Sequence, residues 1–119
     1  MANLNDSLQD LMSLDGAMCA AIVDYNSGMM LGSAGSGVDL ELAAAGNTEV
    51  VRAKMKTMKA LGLNETIDDI LITLGKQYHI IRPSNSLPGI FVYYVLDNKR
   101  ANLALARRKV NDVESSMTM

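Results

Sequence analysis

The sequence predicts an α+β domain, in which a five-stranded, mainly antiparallel sheet has helices on both faces and the element order is α-β-β-α-β-β-β-α. The run 90–96 (IFVYYVL) is apolar without alternation, which is typical of a strand covered on both faces. The run 17–23 (AMCAAIV) has a similar character, and three amphipathic helical patterns need surface to cover. We therefore expect these two strands to lie side by side at the centre of the sheet.

The first elements are expected to be a short helix and a β-hairpin. Asn3 is a suitable N-cap for a helix whose leucines repeat at helical spacing. The buried strand 17–23 follows. Residues 24–28 (DYNSG) readily form a turn, so 29–33 is expected to return as the hairpin partner.

The longest helix is expected to start after the N-cap Asp39 and to stop at Gly62. The preceding segment 35–37 (GSG) is interpreted as a flexible connector, because neither a Lys-Ser/Thr pair nor a GxGxxG pattern accompanies it. One side of the helix is expected to be solvent-exposed and mostly basic, with Arg52, Lys56 and Lys59. The other side repeats at helical spacing and consists of Leu40, Ala43, Ala44, Asn47, Val51, Met55 and Met58.

Three further strands and a helix complete the chain. Residues 66–74 are predicted to form the third strand, and Asp68 and Asp69 suit an exposed sheet edge. Residues 77–82 are predicted to return antiparallel to it. The strand 90–96 then leads into a helix with an apolar stripe of Leu103, Ala106, Val110, Val113 and Met117. We expect one domain over 1–119, with residues 115–119 frayed.

The charge is divided unevenly along the chain. Residues 1–51 carry seven acidic and no basic side chains, whereas 52–119 carry six acidic and eleven basic ones. The two parts have net charges of −7 and +5, which give −2 for the chain. Such an asymmetry is suited to steering a charged partner or a second copy of the chain.

The cellular compartment is expected to be the cytoplasm. The single cysteine excludes an intrachain disulfide and fits a reducing environment. The N-terminal residues lack the basic start of an export signal, and no apolar run approaches the ~20 residues of a membrane helix. We therefore expect no membrane insertion.

Few residues are candidates for catalysis or metal binding. Zinc sites use three or four ligands, and the sequence has one histidine and one cysteine. His79 lies in an apolar strand and is interpreted as a structural histidine with satisfied hydrogen bonds, and Cys19 as a small buried hydrophobe. No nucleophile elbow supports Ser-His-Asp chemistry. We predict a protein that is not an enzyme, with no catalytic residues, metal or cofactor.

The basic residues leave two kinds of partner to consider. The cluster on the last helix could contact phosphate, but the isoelectric point near 5.2 and the lack of a nucleic-acid-binding module favour a solvated face. Nucleic acid is therefore not expected. Docking of a protein remains open, and the candidate residues for it are Arg52, Lys56, Lys59, Arg107 and Arg108.

Two segments carry a resemblance to a known family. Residues 96–107 (LDNKRANLALAR) resemble the corner between the last strand and the last helix of the roadblock family of dynein light chains and bacterial MglB-like GTPase regulators. Residues 16–31 (GAMCAAIVDYNSGMML) are similar to that family's first two strands. The resemblance covers nearly the whole chain and implies a roadblock/profilin-like fold.

The resemblance also implies a homodimer, in which the long helices of two copies pack together and the edge strands 66–74 join two sheets. Self-association also suits the methionine-bearing long helix, although core filling explains its methionines equally well. Whether the cellular dimer contains two identical chains stays open. The residues expected at the interface are Ala43, Ala44, Asn47, Val51, Met55, Met58, Ile70 and Ile72.

Members of the family act as scaffolds and regulators. Some bind dynein intermediate chain, others assemble with Ras-like GTPases, and the MglB-like members stimulate a polarity GTPase without supplying an arginine finger. The resemblance therefore implies a non-enzymatic, homodimeric regulator or scaffold for a small Ras-like GTPase. Two alternatives remain: an adaptor that binds a motor-type or signalling protein without a GTPase, and a small-molecule-sensing domain.

Overall fold

The chain alternates helices and strands in the predicted order. The structure, a computed structural model, describes residues 3–119. Its elements are α1 (Leu4–Met12), β1 (Ala17–Asp24), β2 (Met29–Gly35), α2 (Leu40–Ala60), β3 (Ile70–Thr73), β4 (Gln77–Pro83), β5 (Ile90–Asp97) and α3 (Leu103–Ser116). All strand pairs are antiparallel, and the spatial order is β2-β1-β5-β4-β3. The predicted fold class is therefore confirmed.

The centre of the sheet is the β1–β5 pair, as predicted. β5 is buried from Ile90 to Leu96 and pairs with β1 on one side and β4 on the other. Ala20 lies opposite Tyr94, so a small side chain faces a large one across the ladder. This continuous burial is the physical reason that the segment lacks polar alternation.

The helices divide the core into two layers. Successive strand residues point to opposite faces of a sheet. In β5, Val92, Tyr94 and Leu96 therefore pack in the layer under α1 and α3. Phe91, Tyr93 and Val95 pack in the layer under α2.

The helix ends are fixed by local hydrogen bonds. The Asn3 side-chain oxygen accepts from the backbone N–H of Asp6 at 2.8 Å, and Asp39 accepts from Leu42 at 3.1 Å. Both residues are the predicted N-caps, and these bonds satisfy amides that the helices leave unpaired. α2 ends just before Gly62, whose φ of +72° favours glycine.

The β2 strand is longer than predicted. It runs to Gly35, so part of the expected connector belongs to the sheet. Gly35 has a φ of +78°, and a Cβ atom there would lie 2.2 Å from the carbonyl oxygen of Met18. The glycine is therefore required for close backbone approach at the end of the strand, as well as for its conformation.

The β3 strand is shorter than predicted, because only Ile70–Thr73 pairs with β4. Beyond it, β4 ends at Pro83, which has no N–H to donate. Arg82 instead donates from Nη1 to the carbonyl oxygen of Asp68 at 3.0 Å. This side-chain hydrogen bond thus replaces backbone pairing between β4 and the residues before Ile70. Residues 63–69 have no regular secondary structure.

The C-terminal residues also differ from the expectation of a frayed end. Ser115 and Ser116 belong to α3, and Met117 is only 3% exposed in the core under α1 and α3. Met117 continues the apolar stripe of α3, so its burial anchors the end of the chain.

Candidate interaction site

The α2 face that the sequence assigns to a dimer interface packs mainly within one chain. The residues concerned are Ala43, Ala44, Asn47, Val51, Met55 and Met58. Ala44 and Val51 are 1% and 0% exposed and share a buried cluster with Phe91 and Tyr93 of β5, while the other four are half-buried. An amphipathic helix covers the nearest sheet with its most apolar face. Ala44 and Val51 are therefore core residues, which corrects their assignment to an intermolecular surface.

The two remaining residues of the predicted interface, Ile70 and Ile72, lie on β3. Both are half-buried and pack against the cluster under α2. β3 is the last strand on its side of the sheet and pairs only with β4 within residues 3–119. The predicted edge position of the third strand is confirmed.

The side of α2 that faces away from the sheet carries an uncharged stripe that sequence periodicity missed. We call this stripe the outer flank; it consists of Leu42, Gly46, Val50, Ala53, Thr57 and the C-cap Leu61. Its members follow one another at spacings of three or four residues, so they lie along one line of the helix. Leu42, Val50 and Leu61 are 70%, 38% and 65% exposed. The signal in the sequence is the absence of charge at these positions.

Asn47 fixes the orientation of α2 over the sheet. Asn47 is beside the hydroxyl of Tyr93, which contacts His79 of β4. Val50 is one helical turn from Asn47 and therefore lies on the same side. Thr48, in contrast, faces Gly28 in the β1–β2 turn. Asn47 thus marks the border of α2 that lies near β4, and Ile70 and Ile72 of β3 pack against the same cluster under α2.

The five basic residues predicted to bind a partner do not form one site. Arg52, Lys56 and Lys59 are exposed on α2, whereas Arg107 and Arg108 are exposed on α3, across the sheet. Arg107 is also engaged within the chain. Its Nε and Nη2 donate to the carboxylate of Asp69 at 2.9 and 2.8 Å. The α2 residues are therefore the better candidates for contact with another protein beside the outer flank.

A buried ion pair that the sequence did not indicate ties α3 to the sheet. Glu114 is 2% exposed and accepts from Nε of Arg82 at 3.2 Å. Ser84 and Ser86 donate their hydroxyls to the same carboxylate at 3.3 and 3.0 Å. A buried carboxylate with this many donors is satisfied, so the cluster holds the β4–β5 loop against α3.

The single histidine has a structural environment. His79 contacts Gln77 Oε1 through Nε2 at 2.8 Å and the Tyr93 hydroxyl through Nδ1 at 3.0 Å. Burial lowers the pKa of His79 and raises that of Tyr93 to about 12. Both ring nitrogens have partners, which confirms the interpretation of a satisfied histidine.

The single cysteine and the metal-ligand side chains show no clustered chemistry. Cys19 is fully buried, as predicted, and burial raises the pKa of its thiol. A thiol with a raised pKa has little of the reactive thiolate form. Within the described part of the chain, no three His, Cys, Asp or Glu side chains are grouped to hold a metal ion.

A cavity of about 500 Å³ lies at the C-terminal end of α2. Apolar and polar side chains in similar numbers line it, from the β1–β2 turn, α2, the α2–β3 connection, the end of β4 and the β4–β5 loop. They include Tyr25, Met55, Met58, Leu63, Pro83 and Pro88. Its size falls within the range of small-molecule sites.

Over residues 3–119, no helix is long and apolar enough to cross a lipid bilayer.

The central β1–β5 pair, the single long helix on one face and the two helices on the other define a fold of the roadblock type. No protein-family model and no curated protein matches the sequence. Solved structures match it over nearly its whole length. The chain is similar to the Roadblock/LC7 domain from Streptomyces avermitilis, with a TM-score of 0.82, 11% identity and coverage of 97% of this chain and 94% of that one.

Two solved bacterial proteins extend this similarity. The gliding protein MglB from Thermus thermophilus has a TM-score of 0.70 and 15% identity, and the alignment covers 94% of this chain and 88% of that one. Myxococcus xanthus MglB has a TM-score of 0.64 and 19% identity, with coverage of 92% and 89%. The resemblance drawn from the sequence is confirmed at the level of the fold.

Proposed function

We propose that the protein is a homodimeric, non-enzymatic regulator or scaffold of a small Ras-like GTPase in the cytoplasm. The observations that carry the proposal are the uncharged, exposed outer flank of α2 and the open β3 edge, on a fold shared with MglB. Isolated apolar side chains are common on protein surfaces, whereas a contiguous apolar stripe marks an interaction surface.

A second copy of the chain is the partner that this surface fits. Gly46 and Ala53 lack bulky side chains, so another helix can approach closely, while Leu42 and Val50 supply apolar contact. β3 has no charged residue between Ile70 and Thr73 and can pair with the same strand of the other copy. Both contacts are compatible with one twofold axis. A specific dimer of this kind buries about 1,200–2,000 Å² in total.

The predicted interface residues that are only half-buried keep a place in this proposal. Ile70 and Ile72 would join the two sheets, and Ala43 and Asn47 lie on α2 next to the outer flank. Met55 and Met58 line the cavity at the end of the helix. These residues support the dimer from the edge of the contact, and the outer flank forms its centre.

The basic face of α2 is proposed to meet the GTPase. Arg52, Lys56 and Lys59 are exposed and lie outside the uncharged stripe, so dimer formation leaves them accessible. Long-range attraction from such a face would steer an acidic surface of a partner into contact. The protein would then act by positioning residues of the GTPase, without supplying catalytic groups of its own.

The dimer is tested by sedimentation of matched arginine variants of α2. Val50→Arg places a charge in the outer flank, and we expect it to convert a micromolar dimer into a monomer. Ala45→Arg introduces the same side chain at an exposed position of the same helix outside the flank, and this variant should remain dimeric. A monomeric wild type, or a dimeric Val50→Arg, contradicts the proposal.

The GTPase is tested by the nucleotide dependence of binding. A Ras-like GTPase from the same organism, loaded with GDP or with a non-hydrolysable GTP analogue, is passed over immobilised protein. A regulator should retain one nucleotide state about tenfold better than the other. Equal retention of both states instead favours the adaptor that works without a GTPase.

The cavity at the end of α2 favours a second candidate function, a small-molecule-sensing domain. Its volume of about 500 Å³ and its methionine lining suit an apolar ligand. A ligand that binds only the folded state raises the melting temperature. A screen of small apolar compounds should then find a stabilising ligand whose effect is lost in Met58→Asp, while a screen without such a compound removes this candidate.

A further inference from the structure

The opposite edge of the sheet, formed by β2, is longer and less protected than β3. β2 spans Met29–Gly35 (MMLGSAG) and contains neither a charged residue nor a proline. Natural edge strands are often shielded by lysine, proline or short length. β2 has none of these three devices, and the one irregularity in its ladder with β1 lies at Leu31, between the pairs Ile22–Gly32 and Val23–Met30.

The outer side of β2 has no strand partner in the region 3–119. β2 pairs with β1 alone and ends the sheet on that side. Outside that ladder, the backbone N–H of Met29 donates to Ser27 Oγ at 3.2 Å, within the turn itself. The rest of the strand therefore presents N–H and C=O groups that can form a new ladder.

The helices cover the faces of β2 but not its edge. On one face, α1 is close enough that a Cβ atom at Gly32 would lie 3.1 Å from Leu8 Cδ1. On the other face, Met30 packs in the cluster under α2. Met29 and Leu31 remain 67% and 38% exposed. An incoming strand would thus find apolar side chains beside a free backbone.

The chain segments on both sides of β2 are acidic. Residues 3–51 contain no lysine or arginine, and acidic residues flank both ends of β2, with Asp24 opposite Met29 and Asp39 just beyond the strand. Asp10 and Asp15 are already paired with Lys109 and Arg100. Asp6, Asp39, Glu41 and Glu49 are exposed acidic residues in this half of the chain. A basic segment is therefore favoured over a neutral or acidic one.

We propose that the β2 edge is a strand-addition site for an extended, lysine- or arginine-rich segment of another protein. Backbone hydrogen bonds would provide affinity, alternate apolar side chains would contact Met29 and Leu31, and the acidic surroundings would select basic residues. The small residues from Gly32 to Gly35 leave the edge sterically open. This site is separate from the dimer surface, because β2 and β3 are opposite edges of the sheet.

A second copy of this chain does not fit the same site. Its basic residues lie mainly on α2 and α3 or in the connections after β3 and β5, and Arg82 is on a strand that is already paired on both sides. No free extended segment among the described residues combines an apolar pattern with several positive charges. The proposed occupant is therefore a segment of a different protein.

The direct test is an NMR titration of the full chain with two matched peptides. One eight-residue peptide alternates lysine and valine, and the other alternates glutamate and valine. The lysine peptide should shift the amide signals of residues 29–35 and slow their hydrogen exchange, with an affinity that falls at least about tenfold on raising NaCl from 0.05 to 0.5 M. Equal binding of both peptides, no binding, or shifts confined to other residues overturns the proposal.

N-methylated peptides test whether the backbone pairs. In two further lysine peptides, alternate residues carry an N-methyl group, in one or the other phase. Only one phase blocks the N–H groups that face β2, so the two affinities should differ at least about tenfold. Equal affinities would indicate attraction by charge alone and would overturn strand addition. This test uses the unaltered protein and does not depend on how a variant folds.

Matched lysine variants locate the site. Ser33→Lys places a positive charge on the exposed side of β2, and we expect it to weaken binding of the lysine peptide at least about tenfold. Thr73→Lys makes the same type of change on β3 and should leave this affinity unchanged. Equal weakening in both variants, or none in Ser33→Lys, contradicts the assignment to β2.

Discussion

The β3 and β2 edges of the sheet are fixed by different kinds of interaction. Near β3, charged side chains from distant parts of the chain converge: Arg107 pairs with Asp69, and Arg82 contacts both Glu114 and the carbonyl of Asp68. Near β2, the backbone packs closely against its neighbours, as at Gly35. Side-chain ion pairs therefore fix the region of the β3 edge, whereas close backbone packing at a glycine fixes the β2 edge.

This difference suits the two edges to different partners. We propose that the β3 edge and the outer flank of α2 together meet a second copy of the same chain. The β2 edge belongs to the part of the sequence, up to position 51, that carries no basic residue. We propose that the acidic residues of this part select a basic segment. The same backbone geometry can thus serve two interactions, because the neighbouring side chains differ.

The largest expected effect comes from breaking the buried ion pair on the β3 side. Glu114→Ala leaves the Arg82 guanidinium without its carboxylate partner and removes the carboxylate that accepts from Ser84 and Ser86. We expect the free energy of unfolding to fall by about 3–5 kcal/mol in urea denaturation. Asp112→Ala, on an exposed position of the same helix, should change it by less than about 0.5 kcal/mol. A loss below about 1 kcal/mol for Glu114→Ala would show that the pair is not a main support of this edge.

The matching perturbation on the β2 side is Gly35→Ala. The new Cβ would meet the Met18 carbonyl oxygen, and the φ of +78° is unfavourable for alanine. We expect a loss of about 2–3 kcal/mol in the same assay. Gly46→Ala, at an open position within α2, should instead stabilise the chain by about 0.5–1 kcal/mol. If both substitutions had the same sign, close packing would not explain the glycine of β2.

The polar contacts under α2 predict a pH dependence at high pH. The pKa of Tyr93 is about 12 in the folded chain and 10.0 for an ordinary tyrosine, because burial disfavours the phenolate. The stabilising contribution of the neutral hydroxyl is complete below pH 10 and is lost as the pH rises to about 12, since the unfolded chain releases the proton first.

Tyr93→Phe should therefore weaken the fall in unfolding free energy over this pH range. Chemical denaturation at a series of pH values measures the slope. Burial also raises the pKa of Tyr94, so part of the dependence should persist in the variant. An unchanged slope in Tyr93→Phe would contradict the assignment.

The smallest expected effect is that of the exposed ion pair beside β3. Arg107→Ala removes both hydrogen bonds to Asp69, but the arginine side chain is 48% exposed. We expect a loss of about 0.5 kcal/mol at low salt, which should largely disappear at about 1 M NaCl because salt screens exposed charges. Arg108→Ala serves as the control and should have less effect. A loss that is unaffected by salt would indicate that Arg107 acts through packing.

The fold was predictable because its centre depends on local patterns. The runs at 17–23 and 90–96 lack polar residues as a consequence of burial on both faces, and Asn3 and Asp39 are N-caps whose hydrogen bonds are local. Features set by distant contacts were not predictable. The late start of β3, at Ile70, depends on the contact between Arg82 and the Asp68 carbonyl. The ordered end of α3 depends on core packing of Met117.

The interaction surface was only partly predictable for a related reason. Helical periodicity identifies the most apolar face of α2, but that face packs against the sheet of the same chain. Val51, which is fully buried there, is an example. The outer flank mixes large, small and polar uncharged residues, so it produces no strong apolar periodicity. Its position depends on which side of α2 the sheet leaves exposed, and that is a tertiary contact.

The hydrogen bond from the Tyr94 hydroxyl to the Leu11 carbonyl joins residues that are 83 positions apart, and the central β1–β5 pair likewise joins early and late parts of the chain. During synthesis, α1, β1 and β2 therefore emerge long before the strand that completes the sheet. Such non-local pairing makes folding slow, on the scale of milliseconds to seconds for small domains. A nascent chain that stops before β5 has no sheet centre, so truncation before Ile90 should leave the N-terminal half unfolded as well.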